Sequence, residues 1–296
     1  MKFQGIIPAL VTPLNEDESI NIPVLEKLME ALLEQGADGF YVAGATGEGL
    51  ALRPQERCIL AQESIRIAAG RKPCIIQVAS TDFSQAVALA KHAEAVGAAA
   101  ISSTPPLFFG YNETEVYHYY KRLAESVHIP LMIYYNPAAG FAINANFAAK
   151  MFEVDNITAI KWTSSDYSQV IRLKDMTHGE MNVINGPDAT LLLGLCAGAD
   201  GGIGTTYNYL MKYYRRIYDS FISGDLCMAQ EVQRQVNRIL AARPKYPGIP
   251  LTKVILETMG FPVGNATFPM YRLTSEEKEF AANCLRNAGL RFDDLS

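Results

Sequence analysis

The sequence predicts a (β/α)8 TIM barrel with a C-terminal helical extension, and three observations predict it. Short β-rich apolar runs alternate with amphipathic helical stretches almost without interruption. Eight such pairs fit before residue 224. Beyond that point only helical patterns remain. Strands that alternate with helices pair in parallel through right-handed crossovers, and eight units in about 250 residues is what a closed barrel needs. A doubly wound open sheet satisfies the same alternation with a different strand order.

The first strand is "GIIPALV" (5–11). A helix over 22–35 follows, because Leu25, Leu28, Met29 and Leu32 recur at i, i+3 and i+4. The second strand, "DGFYVAG" (38–44), leads to a helix over 54–69, and the third, "PCIIQVA" (73–79), to one over 82–96. "AAAISST" (98–104) is the fourth strand, with a helix over 113–126, and "PLMIYYN" (130–136) the fifth. The sixth is "ITAIKW" (157–162), with a helix over 166–177, followed by "MNVING" (181–186) and "DGGIGTT" (200–206). Glycines in "EQGADG", "AVGAAA" and "CAGADG" stand where a helix must be capped before the next strand. The barrel thus spans 1–223. The extension, 224–296, holds "GDLCMAQEVQRQVNRILAA" and helical stretches near 250–259 and 274–288, with no low-complexity linker before it.

Composition bounds the function. With 49% hydrophobic and 19% charged residues, the 296-residue chain can bury a sizeable core. A net charge of −5 argues against nucleic acid or an anionic membrane as the main partner. No apolar run approaches the roughly 18 residues of a membrane span. The N-terminal "MKFQGIIPALVTPL" lacks a signal-peptide core, so the expected location is cytoplasmic. Five widely spaced cysteines fit neither a disulfide framework nor a zinc site and read as small buried thiols. The four histidines show no metal-ligand spacing, and His118 reads as structural. No metal is expected, and neither a dinucleotide fingerprint nor a G-x-S-x-G elbow is present.

In a barrel, chemistry gathers where strands end. Lys161 closes the apolar run "ITAI", an expensive place for a cation. Burial favours the neutral amine of a lysine, which can attack a ketone to form a Schiff base. The plainer alternative is a lysine that snorkels to solvent. Such chemistry also needs a proton carrier, and Tyr134 or Tyr135 ends the preceding strand. Neighbouring strand residues face opposite sides, so only one of the two shares the barrel interior with Lys161. A keto acid's carboxylate needs backbone donors, and the tight turn "GATGEG" (44–49) offers them.

Together, "PALVTPL", "GATGEG", "TPP", "YxxP" and "IKWTSSD", in this order, resemble the dihydrodipicolinate synthase / N-acetylneuraminate lyase family over nearly the whole chain. The resemblance implies a (β/α)8 barrel with a helical extension, usually a homotetramer. It also implies class I aldolase chemistry without an added cofactor, with pyruvate held as an imine on Lys161. The proton-relaying tyrosine falls on Tyr134 when Pro137 anchors the alignment, and the carboxylate-binding pair on Ala45 and Thr46, alanine replacing a hydroxyl residue. The lyase branch is closer. Its pattern places Thr163 after the lysine and carries over Gly186, Asp188 and Thr205 as contacts for a polyhydroxylated tail, although Ala189 stands where a glutamate is usual. The synthase branch usually has an arginine after the proline, where this chain reads "NPAAGF", and a tyrosine pair where it reads "TPPLFFGY". The expected activity is therefore release of pyruvate from a 2-keto-3-deoxy sugar acid, with the synthase reaction as the alternative. Outside this class, "GIGTT" could serve as the phosphate site of a sugar-phosphate isomerase, for which Glu48 would be the one available base. A barrel that only binds a keto acid is the non-enzymatic reading.

Overall fold

The computed structural model describes residues 2–292. Eight parallel strands form one sheet in the order β1-β8-β7-β6-β5-β4-β3-β2. They are β1 (Gly5–Pro8), β2 (Phe40–Val42), β3 (Cys74–Gln77), β4 (Ala100–Ser103), β5 (Leu131–Tyr135), β6 (Ile157–Trp162), β7 (Asn182–Asn185) and β8 (Gly201–Gly204). β1 and β2 meet through a parallel bridge between Ala9 and Tyr41, and Leu10 N donates to Tyr41 O at 2.9 Å. That contact brings the sheet round to a nearly closed barrel, so the open-sheet alternative falls.

The connecting helices are α1 (Ile22–Glu34), α2 (Pro54–Ala68), α3 (Phe83–Ala95), α4 (Glu113–Ala124), α5 (Ala145–Phe152), α6 (Tyr167–Met176), α7 (Leu191–Cys196) and α8 (Tyr207–Ile222). Local chemistry sets their ends. The Asn21 side chain caps α1 by accepting from Val24 N, and Gly36, with φ +90°, turns the chain out of it. Three further helices complete the described chain: α9 (Leu226–Ala241), α10 (Gly248–Thr258) and α11 (Ser275–Asn287).

Strand alternation divides the core in two. Ile7, Tyr41, Ile75, Met132, Tyr134, Ala159, Ile184 and Ile203 fill the barrel. Phe40, Val42, Ile76, Ile133, Tyr135, Ile160, Trp162 and Val183 face the helices. Most strands are shorter than the apolar runs that announce them. β2 stops at Val42 because Ala43 turns to φ +56° and starts the following loop. One side-chain expectation needs correction. Only Cys74 of the five free cysteines is buried, whereas Cys196 and Cys227 are exposed near helix ends. His118 lies on α4, exposed, with its ring 5.6 Å from that of Tyr117.

Candidate active site

β6 points Ala159 and Lys161 into the barrel and Ile160 and Trp162 outward. Register places Tyr134 opposite Lys161 and Tyr135 opposite Trp162. Tyr135 accordingly leaves the interior and packs on the Trp162 ring at 4.7 Å. Lys161 is 6% exposed, and its Nζ lies 4.2 Å from the centre of the Tyr134 ring and 4.6 Å from that of Tyr41. The two rings meet edge to face at 6.0 Å. Among the described residues Nζ has no ion pair and no hydrogen bond. It is a buried amine held by aromatic faces alone.

Tyr41 is the residue that sequence reasoning missed. Its inward parity on β2 was the available signal, hidden because the residue lies inside its strand and not at its end. Its hydroxyl donates to Ser102 Oγ at 3.0 Å, and burial pushes its phenol well above the usual range. Tyr41 is therefore committed to the wall, whereas the Tyr134 hydroxyl has no protein partner among the described residues.

The 44–49 loop is wound tightly by sterics. A Cβ on Gly49 would sit 1.8 Å from Ala43 O, and one on Gly47 would sit 2.9 Å from Leu10 O. Ala45 is exposed at the turn and Thr46 is buried, with Thr46 Oγ1 2.6 Å from Thr205 Oγ1. That hydrogen bond ties the loops after β2 and β8. Glu48, also at positive φ (+59°), turns its carboxylate away to Lys253 of α10. The pair is 2.7 Å apart, with both side chains nearly inaccessible, and Glu48 Oε2 also accepts from Thr267 N at 2.6 Å. Burial lowers the Lys253 pKa, and the Glu48 charge opposes that shift. Removing one partner leaves a buried charge uncompensated, which typically costs about 3–5 kcal/mol. Lys253→Met should lower the urea-denaturation stability by about that much, and adding Glu48→Leu should recover most of the loss. A single variant within 1 kcal/mol of the parent would show the pair to be dispensable.

After β6 and β7 the chain runs close to itself. Thr163 N donates to Tyr135 O, Gly186 N donates to Trp162 O, and a Cβ on Gly186 would fall 2.0 Å from Thr163 Oγ1. Glycine is needed there to admit the threonine, whose buried Oγ1 has no hydrogen-bond partner among the described residues. Asp188 differs from expectation. Its Oδ2 accepts from Thr206 N (2.8 Å) and Thr206 Oγ1 (2.7 Å), and its Oδ1 lies against Gly204. The carboxylate assigned to a substrate tail is thus turned onto the start of α8, where the helix dipole favours it. Burial raises its pKa, and the Thr206 hydrogen bonds oppose that.

A cavity of about 540 Å³ opens over these loops, lined by Ala45, Thr46, Asp188, Ala189, Thr205 and Arg243 among others. Lys161 and Tyr134 lie within the barrel and do not line it. No group of three His, Cys, Asp or Glu that could hold a metal occurs among the described residues. None of their helices is long and apolar enough to cross a membrane.

The Dihydrodipicolinate synthetase family model matches residues 2–288. The chain belongs to this family. It is 33% identical to N-acetylneuraminate lyase of Rhizobium meliloti, over 95% of this chain and 93% of that protein. It is 26% identical to 4-hydroxy-tetrahydrodipicolinate synthase 1 of Halalkalibacterium halodurans, over 94% and 95% of the two chains. The solved Proteus mirabilis N-acetylneuraminate lyase superposes with a TM-score of 0.93 at 28% identity, covering 98% of this chain and all of that one. The chain is accordingly an enzyme of a family whose members include lyases and synthases, with a barrel whose strand ends carry a buried amine.

Proposed function

We propose that the chain is a Schiff-base aldolase that reversibly releases pyruvate from a 2-keto-3-deoxy sugar acid, in the manner of N-acetylneuraminate lyase. One observation carries this reading: Lys161 is buried with no direct ion pair or hydrogen bond among the described residues, and its Nζ lies over the ring of Tyr134. An unpaired buried amine is a poor structural element and a good nucleophile.

The reaction follows from that placement. Nζ adds to the C2 ketone, and loss of water leaves an imine. The Tyr134 phenol gives its proton to the water that leaves the carbinolamine, and the resulting phenolate takes the C4 hydroxyl proton as the C3–C4 bond breaks. The aldehyde leaves, and the bonding pair passes into the imine to give an enamine. Protonation at C3 and hydrolysis return pyruvate and the free lysine. The imine is the electron sink, so no further cofactor is invoked. Ala45 and Thr46 would hold the keto-acid carboxylate, and Thr163, Gly186 and Thr205 would border the chain beyond it. In this reading Asp188 orders the loop through Thr206 instead of meeting the tail directly. The same reading carries a homotetramer, which sedimentation equilibrium would check.

Curated relatives that are synthases keep condensation of pyruvate with aspartate semialdehyde as a second reading. The turn Pro137–Ala139 and the residues just after it offer no arginine for that aldehyde's carboxylate. A sugar-phosphate isomerase finds no support, since Glu48 is spent on Lys253. Pyruvate release from N-acetylneuraminate, 2-keto-3-deoxygluconate and 2-keto-3-deoxygalactonate, run beside the synthase assay, separates the two. Turnover of at least one keto acid is expected. Activity only with aspartate semialdehyde would replace the lyase reading.

A further inference from the structure

The turn after β2 is held in a conformation that its own backbone does not favour. Ala43 and Glu48 stand at either end of it, both at positive φ (+56° and +59°) without being glycine. Such residues persist only where their surroundings fix them. Thr12 Oγ1 donates to Gly47 O at 2.7 Å, and Thr46 is tied to Thr205. The remaining hold is the Glu48 side chain. Its two oxygens are divided between Lys253 Nζ and Thr267 N, and Lys253 Nζ also donates to Asn265 O at 2.8 Å. Between these anchors the N–H groups of Ala45, Thr46 and Gly47 donate to no atom among the described residues.

A buried ion pair is a weak way to stabilise a turn. Apolar residues of similar volume in its place are often as stable or more so, so stability alone does not account for Glu48 and Lys253. Two other properties of the pair matter here. Its hydrogen bonds are directional, and they fix the backbone at residue 48 where apolar packing would not. The pair is also neutral. Glu48 is two positions along from Thr46, and its bare carboxylate would repel an anionic substrate in a poorly screened interior. Lys253 cancels that charge. It lies on α10, whose first residues, Gly248, Ile249 and Pro250, line the cavity over the strand ends.

We propose that Glu48 and Lys253 are positioning residues for the keto-acid carboxylate: through this pair the helical extension locks the 44–49 turn with its free N–H groups set for an anion. Neither side chain touches the substrate. The inference deepens the aldolase reading and rests on it.

The test compares two ketones of the same skeleton, pyruvate and its uncharged methyl ester, by reductive trapping on Lys161 with cyanoborohydride. The variant is Glu48→Leu with Lys253→Met, which removes both charges together and should keep the fold. In the unaltered protein, trapping should be half-maximal at a lower concentration of pyruvate than of methyl pyruvate. In the double variant that pyruvate concentration should rise by about 10- to 100-fold, the usual worth of hydrogen bonds to a charged group. The maximal trapping rate and the methyl pyruvate concentration should change little. Parental preference for pyruvate in the double variant overturns the proposal, because the pair then serves stability alone. So does the lack of any preference in the unaltered protein, or an equal loss for both ketones in the variant. If circular dichroism shows the double variant to be misfolded, Glu48→Gln with Lys253→Met decides. Its amide can still accept from Thr267 N, so an intermediate preference is expected, and a full parental preference overturns the proposal. Absence of trapping in the unaltered protein removes the aldolase reading itself, whereas trapping with unaltered discrimination removes only the positioning pair.

Discussion

Lys161→Arg should abolish turnover and leave the fold intact. The guanidinium remains cationic and cannot form an imine, and among the described residues no other lysine lies over the Tyr41 and Tyr134 rings. Incubating the unaltered protein with pyruvate and borohydride should inactivate it irreversibly. Reduction leaves a carboxyethyl group on the amine, about 72 Da by the stoichiometry of the Schiff base. Peptide mapping should place that mass on Lys161 and on no other residue. Because arginine is bulkier than the lysine it replaces, Lys161→Met provides a second variant, also unlabelled and inactive, whose circular dichroism should match the parent. An unlabelled parent, or a label elsewhere, would reduce Lys161 to a cation stabilised by aromatic faces.

The parts of this site that were legible in the sequence are those governed by short periods. A period of two along β5 and β6 is enough to put Tyr134 and Lys161 on one side and Tyr135 and Trp162 on the other. Alternating strand and helix with glycine caps is enough for the barrel. What stayed hidden depends on contacts between distant segments. Glu48 reads as an available base until Lys253 arrives from α10. Asp188 reads as a ligand for substrate until the start of α8 supplies a nearer donor in Thr206. Lys253 itself belongs to the helical extension, where no strand end marks it for chemistry, and only the fold brings it to the 44–49 turn. Charges placed by tertiary contact carry no local periodicity, so a sequence reader assigns them by type and not by partner.

Tyr134→Phe should lower kcat by about 10²–10⁴, the usual contribution of a positioned acid or base, and Tyr135→Phe should change it little. The two residues are adjacent, similarly buried and chemically identical, which makes the pair a controlled comparison. Of the two, Tyr134 shares the interior with Lys161, and its hydroxyl has no partner among the described residues. Tyr135 spends its ring on Trp162 in the helix-facing layer. Tyr41→Phe supplies the third member, because its ring also covers Lys161 while its hydroxyl is bound to Ser102. Removing that hydroxyl leaves the aromatic face in place and should cost far less than Tyr134→Phe. Borohydride trapping of pyruvate should persist in the Tyr134 variant more than turnover does, since carbon–carbon cleavage needs a proton acceptor at the C4 hydroxyl while imine formation can draw protons from water. Equal losses in the Tyr134 and Tyr41 variants would mean that the rings act by holding the amine and that the proton travels through another group. A large loss confined to Tyr135→Phe would place the relay outside the barrel, against the register of β5 and β6.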